Sequence, residues 1–142
     1  SPMASLAPID VVSTTNAPQA IGPYVQATKH NGTLYVSGQI AMNPETGNID
    51  APDDVEAQAE QALKNLGAVL EAGGSGFDRC LKVGVYLIDM AECKLGARNP
   101  KPFAAVSKLH TESCRYLTRT PSALICSSFY FEWFAFNPTF TN

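Results

Sequence analysis

The stretch Asn16–Gln39, NAPQAIGPYVQATKHNGTLYVSGQ, decides how this chain is read. It opens as a loop punctuated by proline and glycine, NAPQAIGPY, then runs YVQATK, HNG and TLYVSGQ. Two segments of period-two character flank the Asn31-Gly32 pair, and both of those residues tolerate the positive φ that a type I′ turn requires. A β-hairpin follows. Its second strand is expected to carry Leu34 and Val36 on one face and Tyr35, Ser37 and Gln39 on the other.

Outward from the hairpin, Ile9–Ser13 (IDVVS) reads as a short first strand, and NPETGNIDAPDD is turn chemistry throughout. A helix starts next, with Asp53 as the expected N-cap and Glu56 reaching back to complete a capping box. Val55, Ala59, Ala62, Leu63, Leu66, Val69 and Leu70 then recur at helical spacing until Gly73-Gly74 ends the run. CLKVGVYLID alternates, with Leu81, Val83, Val85 and Leu87 on one face, and is expected to return beside the hairpin after the helical crossover. Phe103, Val106, Leu109 and His110 mark a weaker helix that fades near Cys114, and SALICS and SFYFEWFAF read as two closing strands. On the last strand Phe129, Phe131, Trp133 and Ala135 share one face, and Tyr130, Glu132, Phe134 and Phe136 the other. The order is β-β-β-α-β-α-β-β, an α+β fold with two helices on one face of a mixed sheet. Several strands are apolar on both faces and helices cover only one, so the other is expected to pack against a second subunit.

Composition narrows the function classes. A chain of 142 residues with 45% hydrophobic and 16% charged residues reads as a single globular domain, 1–142, with Ser1-Pro2 ahead of Met3 resembling a tag scar. The net charge of -3 offers no footprint for a polyanion, so nucleic acid is not an expected partner. No apolar run approaches the roughly eighteen residues of a membrane span. The cytosol is the expected address, with the mitochondrion as the alternative. Cys80, Cys93, Cys114 and Cys126 are too dispersed for C-x-x-C chemistry, and His30 and His110 form no i, i+4 face, so no metal is expected.

The motif NAP-x-A-IGPY-x-Q followed by LYVSGQI resembles the opening of the RidA/YjgF family, also called endoribonuclease L-PSP. The resemblance extends to Val85–Met90, VYLIDM, similar to the family's VFLxDM, and to FAAV, similar to its second-helix start, with Ser107 where the family usually has Asn. Residues 91–101 look like an insertion. The family carries an Arg before Ser or Thr at a strand entrance and a Glu in a closing strand; here the counterparts are Arg119 with Thr120, and Glu132 in FEWFA. Arg98 and Arg115 lie near enough in sequence to stand in for Arg119. The resemblance implies a chorismate-mutase-like fold, a homotrimer with sites at the subunit clefts, and hydrolysis of enamines and imines such as 2-aminoacrylate to 2-keto acid and ammonia. It implies no metal or organic cofactor. Pro121 and Ser107 depart from the family pattern, since proline has no N–H to donate and Ser is shorter than Asn.

The chemistry explains the residue types. An amino-acid-derived imine carries an α-carboxylate, and a guanidinium holds it bidentately, the role the resemblance gives Arg119. Hydrolysis needs water at the imine carbon and protons at the departing nitrogen, work for a carboxylate as general acid and base, the role given to Glu132. Its aromatic neighbours would raise the carboxyl's pKa by desolvation. Tyr24, Ser37, Gly38 and Ser107 line the substrate pocket by resemblance. The bland alternatives are a surface charge for Arg119, a solvated edge-strand residue for Glu132, a packed ring for Tyr24 and a sheet hydrogen bond for Ser37. The alternative function is a non-catalytic module that binds small carboxylates or proteins. Ribonuclease activity fits poorly with an acidic chain lacking a basic, aromatic surface.

Overall fold

The Asn31-Gly32 turn forms as its residue types require: in the computed structural model of the chain, φ is 47° at Asn31 and 76° at Gly32. The structure describes residues 7–87, 113–116 and 129–136. Strands β1 (Asp10–Val12), β2 (Ala27–His30) and β3 (Thr33–Gln39) precede helix α1 (Val55–Ala72). A 3₁₀ turn (Phe77–Arg79) leads into β4 (Cys80–Leu87), followed by β5 (Ser113–Tyr116) and β6 (Phe129–Phe136). The expected helix at 103–110, the insertion at 91–101 and the SALICS strand lie outside the described residues.

The six strands form one mixed sheet in the order β1-β2-β3-β6-β4-β5. β6 runs antiparallel to both β3 and β4, while β5 pairs parallel to β4. Two expectations are corrected here. β4 does not return beside the hairpin but one strand further over, leaving a slot that β6 fills. The reason lies in β6 itself: FYFEWFAF is aromatic on alternate and intervening positions, a composition suited to an interior strand. Ser113–Tyr116 is a strand where the sequence pattern showed only the fading end of a helix; four residues carry too little periodicity to be read alone, and β4 supplies the pairing that sets them.

Helix α1 packs on β3 and β6. Ala59, Ala62, Leu63, Leu66, Val69 and Leu70 are buried along it, and they meet Leu34, Val36, Ala27 and Val85 from the sheet. The apolar stripe of the helix is thus the core, as its spacing predicted. The cap is one residue later than expected. Asp54 is the N-cap and accepts from the Ala57 N–H at 3.0 Å, so position N3 holds Ala57 and Glu56 stands at N2. Gly73 follows the last helical turn where a Cβ would lie 2.5 Å from Leu34 Cδ2, so the helix end closes directly onto the buried hairpin.

Two irregularities redirect the strict alternation read from sequence. The β3–β6 register shifts between Val36 and Gln39, which turns Gln39 into the interior with Leu34 and Val36 instead of leaving it on the Tyr35 face. The β4–β6 register shifts between Cys80 and Lys82, and Leu81 is exposed while Val85 is buried, so those two do not share one face. A bulge adds one residue to one strand, and every position beyond it changes side.

Candidate functional site

The loop Asn16–Tyr24 is held from beneath by one side chain. Gln26 is buried, and its Oε1 accepts from the Thr14 N–H at 2.6 Å. Its Nε2 reaches the carbonyls of Thr14, Ala17 and Pro18 at 3.0, 3.2 and 2.8 Å. Loop backbone without secondary structure needs such partners when it is buried. At the loop's far end the Tyr24 N–H donates to the Gly22 carbonyl at 2.8 Å, and the Tyr24 ring folds back to lie 3.3 Å from where a Gly22 Cβ would be. The Tyr24 hydroxyl oxygen accepts from the Ile21 N–H at 3.4 Å. The ring is half exposed and presented to solvent on a tight turn.

Opposite the loop stands a second wall held in the same way. Asn65, buried on α1, donates through Nδ2 to the carbonyls of Ile40 and Met42 at 2.9 and 2.8 Å, and its Oδ1 accepts from Gln61 at 2.9 Å. Between the walls lies a recess of about 30 Å³, lined by Pro18 and Tyr24 on one side, Ile40 and Met42 on the other, and Gly38 and Gln39 at the strand end. None of the described residues lining it is charged. A substrate carboxylate placed there would therefore depend on a cation from elsewhere.

The strand end is shaped by the first bulge. Val36 pairs with Trp133 and Gln39 with Phe131, so Ser37 and Gly38 together stand against the single position Glu132. Glu132 is in turn the register partner of Gly84 on β4. Bulges concentrate beside binding sites because they re-aim backbone and side chains.

The expected site residues are distributed as follows. Tyr24 and Gly38 line the same recess. Ser37 precedes Gly38 in the bulge; its N–H donates to the Gln26 carbonyl at 3.0 Å and its Oγ donates to the Val25 carbonyl at 2.6 Å. The hydroxyl proton is therefore spent on the Val25 carbonyl. Glu132 lies on β6 at the position across from the bulge. Arg119, Ser107, Thr120 and Pro121 lie outside the described residues. Arg115, the neighbour weighed against Arg119, is on β5 in register with Tyr86. Sequence reading passed over Gln26, Gln39 and Asn65. Asn65 was open to detection, because a polar residue between Ala62 and Val69 interrupts an otherwise apolar helical stripe. Gln39 was not, since its burial depends on a bulge.

A larger cleft of about 200 Å³ lies between the start of α1 and the preceding loop, lined by Asp50, Gln58, Glu60 and Lys64 among others. Glu60 and Lys64 pair with each other at 3.0 Å with both side chains mostly exposed, the arrangement of a solvated helix face.

Among the described residues, a mixed sheet covered by helix α1, with a bulged strand end facing a stapled Pro/Gly loop, defines a small α+β domain whose recess sits at the end of the hairpin. The chain belongs to the RidA/YjgF family: the family model described as Endoribonuclease L-PSP matches residues 14–122. It is 49% identical over 80 residues to 2-iminobutanoate/2-iminopropanoate deaminase of Mus musculus, a match spanning 56% of this chain and 58% of that protein. It is 44% identical over 85 residues to the chloroplastic Reactive Intermediate Deaminase A of Arabidopsis thaliana, spanning 60% of this chain and 45% of that one. Among solved structures, E. coli TdcF with bound serine matches with a TM-score of 0.76 and 31% identity, covering 90% of this chain and 98% of that chain. RidA from a Psychrobacter species matches with a TM-score of 0.70 and 29% identity, covering 89% and 98%.

Proposed function

We propose that this chain is a hydrolytic deaminase of reactive enamines and imines such as 2-aminoacrylate, releasing a 2-keto acid and ammonia. The observation that carries the reading is the register at the β3 bulge: Glu132 stands across from Ser37-Gly38, and Gly38 lines one recess with Tyr24. That neighbourhood joins a carboxylate-bearing position to a neutral recess at the end of the sheet. The name of the mouse relative and the serine bound to TdcF support the same substrate class, since serine carries the α-carboxylate that such imines share.

In this reading Arg119 clamps the carboxylate through paired N–H donors. Glu132 moves protons between water and the departing nitrogen. Tyr24, Ser37, Gly38 and Ser107 line the pocket. The domain occupies 1–142 with 91–101 as an insertion, acts in the cytosol and assembles as a homotrimer. The exposed apolar residues Ile9, Val11, Tyr35 and Leu81 support self-association. No helix among the described residues is long and apolar enough to cross a membrane.

The test is ammonia and keto-acid release from a freshly generated enamine. Wild-type protein should accelerate it, and Arg119→Ala should lower kcat/KM by roughly a hundredfold, the worth of a charged, bidentate contact. Full activity in Arg119→Ala would remove that residue from the site. Carboxylate binding without turnover would instead identify a non-catalytic binding module.

A further inference from the structure

The β4–β6 ladder runs in unbroken register from the Lys82–Phe134 pair through Gly84–Glu132 to Leu87–Phe129. Partners in an antiparallel pair lie on one side of the sheet, and positions two apart along a strand share that side. Positions 82, 84 and 86 therefore lie on the same face as positions 130, 132 and 134. Val85 identifies that face: it belongs to the core beneath α1, so its neighbours in the strand are on the side away from the helix. Lys82 is exposed.

Gly84 stands directly across from Glu132 and brings no side chain, so the nearest side-chain-bearing positions of β4 on that face are Lys82 and Tyr86, each one diagonal step away. Diagonal neighbours lie about 7–8 Å apart, within reach of long side chains. On the other flank of β6 the bulge sets Ser37 and Gly38 against Glu132, and neither carries a charge. Further out on the same face, register places Arg115 of β5 beside Tyr86, Tyr35 of β3 beside Phe134, and His30 of β2 beside Thr33. Among the described residues Lys82 is the cation position nearest Glu132 in this register.

We propose that Lys82 is the positioning residue for Glu132, a cation one diagonal step across the β4–β6 ladder that keeps the carboxylate ionised and oriented. The juxtaposition stands on the strand register; its bearing on turnover rests on the deaminase reading above. The aromatic positions Tyr130 and Phe134 flank Glu132 on its own strand and face, and apolar surroundings favour the neutral acid. An opposite charge within about 4–6 Å acts the other way, lowering a carboxyl pKa by about 1–3 units. Only the ionised form can take a proton from the attacking water, so the cation decides at which pH Glu132 is ready to act.

NMR of the full chain, isotopically labelled at its glutamate carboxyl groups, tests the pair without requiring turnover, with the Glu132 signal assigned by its loss in Glu132→Gln. The Glu132 carboxyl should titrate about one pH unit higher in Lys82→Met than in wild type, and Lys82→Arg should restore the wild-type midpoint. In deamination kinetics the acid limb of kcat/KM should rise by the same amount in Lys82→Met, a displacement that general loosening of the fold would not produce. Melting temperatures confirm that the variants are folded, and Lys82→Gln repeats the comparison if Lys82→Met is not. Equal Glu132 midpoints in wild type and Lys82→Met, or a midpoint that Lys82→Arg fails to restore, overturn the proposal. A carboxyl that moves while the acid limb stays in place upholds the pair and overturns its role in turnover. Wild-type protein with no turnover refutes the deaminase reading, and the NMR midpoints still decide whether Lys82 acts on Glu132.

Discussion

Gln26 spends its whole amide on the loop that presents Tyr24. One acceptor and two donor hydrogens serve the Thr14 N–H and three carbonyls, so one hydrogen is shared. Removing it leaves the buried Ala17 carbonyl and several part-buried backbone groups unpaired, each costing on the order of 1–3 kcal/mol where water cannot reach it. Gln26→Met, which preserves volume, is expected to lower the unfolding free energy by about 2–3 kcal/mol, read from urea denaturation at fixed protein concentration. Gln26→Glu should be no milder, because a carboxylate would face three carbonyl oxygens. A neutral Gln26→Glu would show that the donors do not hold the loop. Ser37 teaches a related lesson: its short bond to Val25 is the structural duty that a serine in a strand was expected to have, and any contact with substrate is additional to it.

At the scale of the element, α1 illustrates how far local chemistry reaches. Its apolar spacing, its length and its glycine stop agree with the observed Val55–Ala72 helix. The cap is less determined, because Asp53 and Asp54 are adjacent and either carboxylate could serve by type alone. The tertiary position of the first turn selects Asp54. Asp54→Ala should therefore cost about 1 kcal/mol in thermal or urea unfolding, while Asp53→Ala should stay within about 0.5 kcal/mol of wild type. Equal effects would contradict the cap geometry. The strands show the opposite limit: period-two alternation holds through Val36, and then the bulge reverses it at Gln39. A bulge is set by the partner strand, and β6 lies 90 or more residues further along the chain.

For the whole molecule, helix α1 covers one face of the sheet and the described residues include no element over the other. Register aligns Val11, Thr28 and Tyr35 across β1, β2 and β3 on that face, and Val11 and Tyr35 are exposed. Tyr35→Glu is expected to shift the assembly toward smaller species in sedimentation velocity, since a carboxylate there would be desolvated at a subunit contact. A wild-type protein that sediments as a monomer at micromolar concentration would refute the proposed trimer. Sequence by itself determined the hairpin, the first helix, the aromatic closing strand and the family, because each rests on contacts or motifs within a few dozen residues. Tertiary structure alone decided that β6 separates β3 from β4, that Ser113–Tyr116 joins the sheet, and that Gln39 is buried beside the recess. Those features depend on pairings between distant segments, whose register no local periodicity encodes.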